Sequence, residues 1–86
     1  MADKKSKDEV MQLATEVIAK SLSISLSDID PTHEFVQLGL DSLQAMFVLD
    51  ELEKKLGVEI NPLLFWEFPT PASFVDELYK EYSKAD

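Results

Sequence analysis

The residues best suited to chemistry lie in one stretch, Gly39-Leu40-Asp41-Ser42-Leu43, where an amphipathic helix pattern starts on the serine. A hydroxyl at a helix mouth, after a glycine turn and beside a carboxylate, suits a phosphate-bearing modification better than a buried role. The free N–H groups and dipole of a helix start favour an anion there. A nucleophilic role would need a base, an orienting group and an oxyanion hole. His33 is the only histidine, on a loop upstream, and there is no Gly-x-Ser-x-Gly elbow. A Gly-Asp-Ser-Leu esterase motif is matched only if Leu40 is skipped. A small serine hydrolase is therefore the weakest reading, and no catalytic residue is expected.

Metal chemistry is equally poorly supplied. Asp28, Asp30 and Thr32 have calcium-loop spacing, but His33 occupies the glycine position and Gly39 the closing glutamate position. Zinc has one histidine and no cysteine to work with. No metal site is expected, and no phosphate-cradling or dinucleotide glycine motif occurs.

The whole chain has 86 residues, enough for one small domain. Its hydrophobic content of 45% supports folding. The core must be efficiently packed, because no disulfide can staple it. The lack of cysteine fits a reducing compartment, no apolar run reaches spanning length, and Met1-Ala2-Asp3-Lys4-Lys5 lacks the apolar core of a signal peptide. A soluble cytoplasmic protein, away from membranes, is expected. The net charge of −9, with no arginine, argues against nucleic-acid binding. Between Ser21 and Glu53 there is no lysine or arginine, while Asp28, Asp30, Glu34, Asp41, Asp50, Glu51 and Glu53 are acidic. A run like this is often only a solvated face. Its position around Ser42 favours steering toward basic partner surfaces.

Four helices are needed to hold this stretch. Helical spacing of Val10, Leu13, Ala14, Val17, Ile18 and Leu22 predicts a first helix over about 6–22, capped by Ser6 or Asp8. A long connection, 23–41, follows, with Leu26, Ile29, Phe35, Val36, Leu38 and Leu40 as apolar anchors over the bundle. The second helix runs from Ser42 to Leu56 and stops at Gly57, with Lys54 and Lys55 in its last turn. A short third helix runs from Pro62 to about Glu67, capped by Asn61. The fourth starts at Thr70-Pro71, with a stripe of Phe74, Val75, Leu78, Tyr79 and Tyr82. The fold class is all-α: a four-helix bundle of three longer helices and one short third helix, with a long loop between helices one and two.

At about 100° per residue, Ala45, Val48, Leu49, Leu52 and Leu56 share the core face of the second helix. Leu43 and Phe47 fall almost opposite, and Met46 lies on the flank next to Ser42. Packing under the long loop is the plainer expectation for Leu43, whereas Phe47, among Asp50, Glu51 and Lys54, is expected to be exposed. Leu43, Met46 and Phe47 are thus candidate contacts for partner enzymes.

The segment Phe35-Val36-Gln37-Leu38-Gly39-Leu40-Asp41-Ser42-Leu43 resembles the attachment site of acyl carrier proteins. The likeness continues through Leu52-Glu53-Lys54-Lys55-Leu56-Gly57-Val58. Leu63-Leu64-Phe65-Trp66-Glu67-Phe68-Pro69-Thr70-Pro71 is similar to carriers of modular polyketide synthases. The match spans about residues 8–82, which implies a tail over 1–7, a carrier domain over 8–83 and a second tail over 84–86. The resemblance implies that Ser42 holds 4′-phosphopantetheine, moved from coenzyme A by a phosphopantetheinyl transferase, which makes the chain a phosphoprotein. Acyl groups would ride the arm as thioesters to acyltransferase, ketosynthase and other synthase enzymes, on a monomeric carrier. Gly39, Leu40, Asp41 and Leu43 are its motif residues, and Asp41, Leu43, Met46, Phe47, Asp50 and Glu51 its docking residues. Asp41 would contact the transferase or its metal, or simply help the helix start. Peptidyl carriers typically have histidine before the serine, so Asp41 leans toward acyl cargo.

Two positions depart from the family pattern. Phe47 stands where the docking face is usually acidic, and Trp66 stands at an aromatic position expected to pack in the core. With so small an apolar core, any internal pocket is expected to open only on demand. Within the class, the alternative is a fatty acid or aminoacyl/peptidyl carrier. Outside it, the alternative is an unmodified helical adaptor binding through the Leu43/Met46/Phe47 face. Met1 and the polar end Tyr82-Ser83-Lys84-Ala85-Asp86 favour a free-standing protein over a domain excised from a synthase.

Overall fold

The computed structural model describes residues 5–84. Among them the regular structure is entirely helical: α1 (Lys7–Leu22), α2 (Phe35–Leu38), α3 (Ser42–Leu56), α4 (Leu63–Glu67) and α5 (Pro71–Lys84), with a 3-10 turn at Leu26–Asp28. The three longer helices are those the periodicity predicts, and the short one before α5 is the one the Asn61-Pro62 start predicts. α1 packs against both α3 and α5, and α4 packs on α5. Val10, Ala14, Val17 and Ile18 of α1 meet Val48, Leu49 and Leu52 of α3 and Phe74, Val75 and Leu78 of α5 in one buried cluster. No polar or charged residue is buried among the described residues.

Local chemistry sets each helix boundary. Ser6, rather than Asp8, caps α1: its hydroxyl accepts from the Glu9 N–H, and the Glu9 carboxylate accepts from the Ser6 N–H. Lys7, expected in the tail over 1–7, already belongs to α1, Lys84, expected in the tail over 84–86, belongs to α5, and the Lys5 N–H donates to the Tyr82 hydroxyl at 2.7 Å. Residues 1–4 and 85–86 lie outside the described residues. Asn61 caps α4 as expected, accepting from the Leu63 N–H at 2.9 Å, with Pro62 helical but one residue ahead of the assigned start. Thr70 caps α5 reciprocally with Ser73, at 3.1 Å and 3.2 Å.

The long connection is more structured than expected. Besides the 3-10 turn it contains α2, closed by Gly39 at φ +96°, with the Leu40 N–H reaching the Phe35 carbonyl and the Gly39 N–H reaching that of Val36. Two backbone bonds fasten it to the far end of the chain: Phe35 N–H to the Pro69 carbonyl at 2.7 Å, and Ala72 N–H to the Pro31 carbonyl at 3.0 Å. Of the expected anchors, Ile29, Phe35 and Leu40 are buried and Leu38 packs against the core. Leu26 and Val36 are exposed; Val36 lies outward because Phe35 beside it already takes the inward direction of a one-turn helix, and the 3-10 turn that holds Leu26 buries none of its residues.

Gly39 lets α2 end abruptly and the chain re-enter a helix at Ser42. A Cβ there would meet nothing within 4 Å, so the strain of a substitution is conformational. Gly39→Ala is expected to cost about 1–2 kcal/mol, read as a lower urea midpoint at unchanged slope.

Candidate functional site around Ser42

Asp41 opens α3. Its carboxylate accepts from the Gln44 N–H at 2.8 Å, and the Gln44 side chain accepts from the Asp41 N–H at 3.2 Å. The Ala45 N–H goes to the Asp41 carbonyl. The N–H groups of Ser42 and Leu43 are left without an acceptor among the described residues. That is the open anion position of a helix start. Ser42 itself is exposed, and its hydroxyl has no hydrogen-bond partner among the described residues. Asp41 is exposed beside it, so the helix-start role expected of it is met, with one carboxylate oxygen still free.

Ser42 stands between two apolar surfaces. On the outer face of α3, Leu43 is 81% exposed, Met46 54% and Phe47 47%. Leu43 is the most exposed of the three, contrary to the expectation that it packs under the loop; the loop instead closes over the α4–α5 junction through Phe35 and Pro31. Asp50 is exposed and Glu51 half-buried on the same helix. Asp50 pairs with Lys54 at 3.1 Å and holds that ammonium above its usual pKa by hydrogen bonding and charge.

On the other side runs a groove of about 410 Å³, lined by Asp41 and Ser42 together with Phe35, Leu40, Ala45, Phe65, Val36, Trp66, Glu34 and Pro69. It opens at the surface beside Ser42. Phe35 of α2, Phe65 of α4 and Phe74 of α5 hold its walls. Phe65 and Phe74 stack at 4.6 Å, and Phe35 meets them edge-on at 4.7 Å and 5.7 Å. Trp66 is 63% exposed on this groove, which corrects its expected place in the core. α4 is a single turn, and Phe65 uses its inward direction; the next residue points about 100° away. The same adjacency places Val36 outside Phe35, and it was the available clue to both groove residues.

His33 is not on the groove. It lies in the turn before α2, 3.6 Å from Asp30. The Thr32 hydroxyl and N–H hold the Asp30 carboxyl below its usual pKa. No cluster of acidic, histidine or cysteine side chains among the described residues is arranged to hold a metal ion. The geometry offers a free hydroxyl at a helix mouth, accessible from both sides.

That arrangement displays a serine to other molecules, with no base aligned on it. The chain belongs to the phosphopantetheine attachment site family, whose model matches residues 12–78. Members of this family are carrier domains, not catalysts, and bear covalently attached 4′-phosphopantetheine. A free-standing peptidyl carrier protein from Acinetobacter baumannii superposes with a TM-score of 0.82 at 30% identity, covering 88% of this chain and 95% of that one. An acyl carrier protein from Anabaena sp. PCC 7120 gives 0.80 at 30% identity, covering 95% and 99%. The polyketide synthase PksN of Bacillus subtilis is 31% identical over 78 residues, 91% of this chain and 1% of that protein. The chain spans only 1–5% of the length of the first polyketide synthases it matches.

Proposed function

We propose that Ser42 carries the 4′-phosphopantetheine arm and that the loaded protein presents acyl thioesters to enzymes of polyketide synthesis. The observation behind this is the unpartnered Ser42 hydroxyl on the exposed first turn of α3, beside two unoccupied N–H groups. In the loading step the Ser42 oxygen attacks the phosphorus of coenzyme A that bears the pantetheine. The new O–P bond forms as the bond to adenosine 3′,5′-bisphosphate breaks, and the hydroxyl proton passes to a base of the transferase. The resulting phosphodiester sits at the helix N-terminus, where dipole and N–H groups favour it. The polyketide assignment is supported by the likeness to PksN over most of the chain. Aspartate before the serine supports acyl cargo, although a peptidyl carrier is an equally identical structural neighbour.

Carrier domains work with synthase enzymes, and the face of Leu43, Met46 and Phe47 is the proposed contact for the transferase, acyltransferase and ketosynthase. Phe47→Glu is expected to change stability by no more than about 0.5 kcal/mol. It is expected to slow acyl loading by a partner acyltransferase about tenfold. A loading rate equal to wild type would remove Phe47 from the contact. The carrier reading is tested by offering the pantetheinylated protein a malonyl donor and a polyketide acyltransferase. Labelled acyl group should bind and be released by hydroxylamine, as a thioester is. Label that never binds, or that resists hydroxylamine, rejects the reading.

A further inference from the structure

Gln44 makes three contacts that meet at the start of α3. Its side-chain oxygen accepts from the Asp41 N–H, its backbone N–H donates to the Asp41 carboxylate, and its amide nitrogen reaches the Ser21 carbonyl at 3.4 Å. Ser21 lies in the last turn of α1, whose carbonyls have no helical partners. Those of Ala19 and Lys20 are taken by the Ile24 and Ser23 N–H groups, and Gln44 serves that of Ser21. This half-buried side chain thus joins the two ends of the 23–41 connection, directly behind Ser42.

We infer that Gln44 is a positioning residue for the modification of Ser42, acting through Asp41; this rests on the reading of Ser42 as the attachment serine. The two bonds to Asp41 fix the backbone that immediately precedes Ser42. They also occupy one Asp41 oxygen, leaving the other free for an incoming enzyme or its magnesium. In the transfer, the Ser42 oxygen must approach phosphorus opposite the departing adenosine 3′,5′-bisphosphate. A hydroxyl displaced from that line loses rate. The apolar docking face of Leu43, Met46 and Phe47 takes no part in these bonds, so affinity for the transferase is retained.

The test measures phosphopantetheine transfer from coenzyme A, with magnesium and a broad-specificity transferase, for wild type, Gln44→Ala, Gln44→Glu and Ser6→Ala. Circular dichroism confirms that each is folded. Ser6→Ala removes the matching cap at the opposite end of α1 and controls for stability. Gln44→Ala is expected to lower kcat roughly tenfold with KM for the carrier unchanged. Gln44→Glu, which keeps the acceptor for the Asp41 N–H, recovers most of that rate, and Ser6→Ala keeps both constants. The positioning role is overturned by wild-type kcat in Gln44→Ala, a loss confined to KM, equal losses in the alanine and glutamate variants, or the same loss in Ser6→Ala. A folded wild type that takes up no phosphopantetheine removes the attachment reading and this inference together. Uptake by wild type with an unchanged Gln44→Ala rate removes this inference alone.

Discussion

Phe74→Ala is expected to lower stability by about 3–5 kcal/mol, enough to leave much of the protein unfolded at 37 °C. Phe74 has no exposed surface and stacks on Phe65 while receiving the edge of Phe35. Truncation loses the buried ring, leaves a cavity, and removes the surface against which both short helices rest. α2 and α4 have one turn each, too little to persist without tertiary packing. Domains have about 5–15 kcal/mol in total, and one this small sits toward the lower end. Urea unfolding followed by the fluorescence of Trp66, the only tryptophan, measures the effect. The variant should show a large fall in midpoint, with the groove around Ser42 loosened before the three-helix core is lost. A loss below about 1 kcal/mol would mean that the site is collapsible and that the ring trio does not hold the groove.

The longer helices were readable from the chain because each repeats its apolar pattern over several turns and has explicit stops. α3 has both: Ala45, Val48, Leu49 and Leu52 are buried, Leu56 packs against the core, and Gly57 closes the helix at φ +70°. The short elements were not readable in that way. α2 is a four-residue helix held by Phe35 in the core and by a bond to the Pro69 carbonyl, a partner far away in sequence. Periodicity has nothing to repeat over one turn, so the segment read as loop.

The same limit explains the site. Ser42, Asp41 and the outward set of Leu43, Met46 and Phe47 follow from helix phase alone. The groove does not, because its walls come from α2, α4 and the α4–α5 junction. Trp66 shows the difference most clearly. Aromatic character suggested burial, yet Phe65 beside it already fills the inward position of a one-turn helix. Gln44 was within reach of sequence reading, since a capping residue followed three positions later by glutamine is a recognisable helix start. Its link to Ser21 required the fold.

Ser42→Ala should abolish phosphopantetheine uptake while leaving the protein folded. Ser42 is exposed, its hydroxyl bonds to nothing among the described residues, and Asp41 rather than Ser42 caps α3. Alanine is also a strong helix former. The change therefore removes the acceptor oxygen with a stability effect within about 0.5 kcal/mol. No neighbouring hydroxyl can take over on this helix, because Ser42 is its only serine and it has no threonine or tyrosine. The loss should be complete rather than graded, since the bond to phosphorus cannot form without that oxygen.

Intact mass after incubation with coenzyme A, magnesium and a broad-specificity transferase tests this most directly. Wild type should gain one phosphopantetheine, and folded Ser42→Ala should gain none. The account is contradicted if folded wild-type protein stays at its starting mass, as an unmodified adaptor would, or if Ser42→Ala still acquires the group.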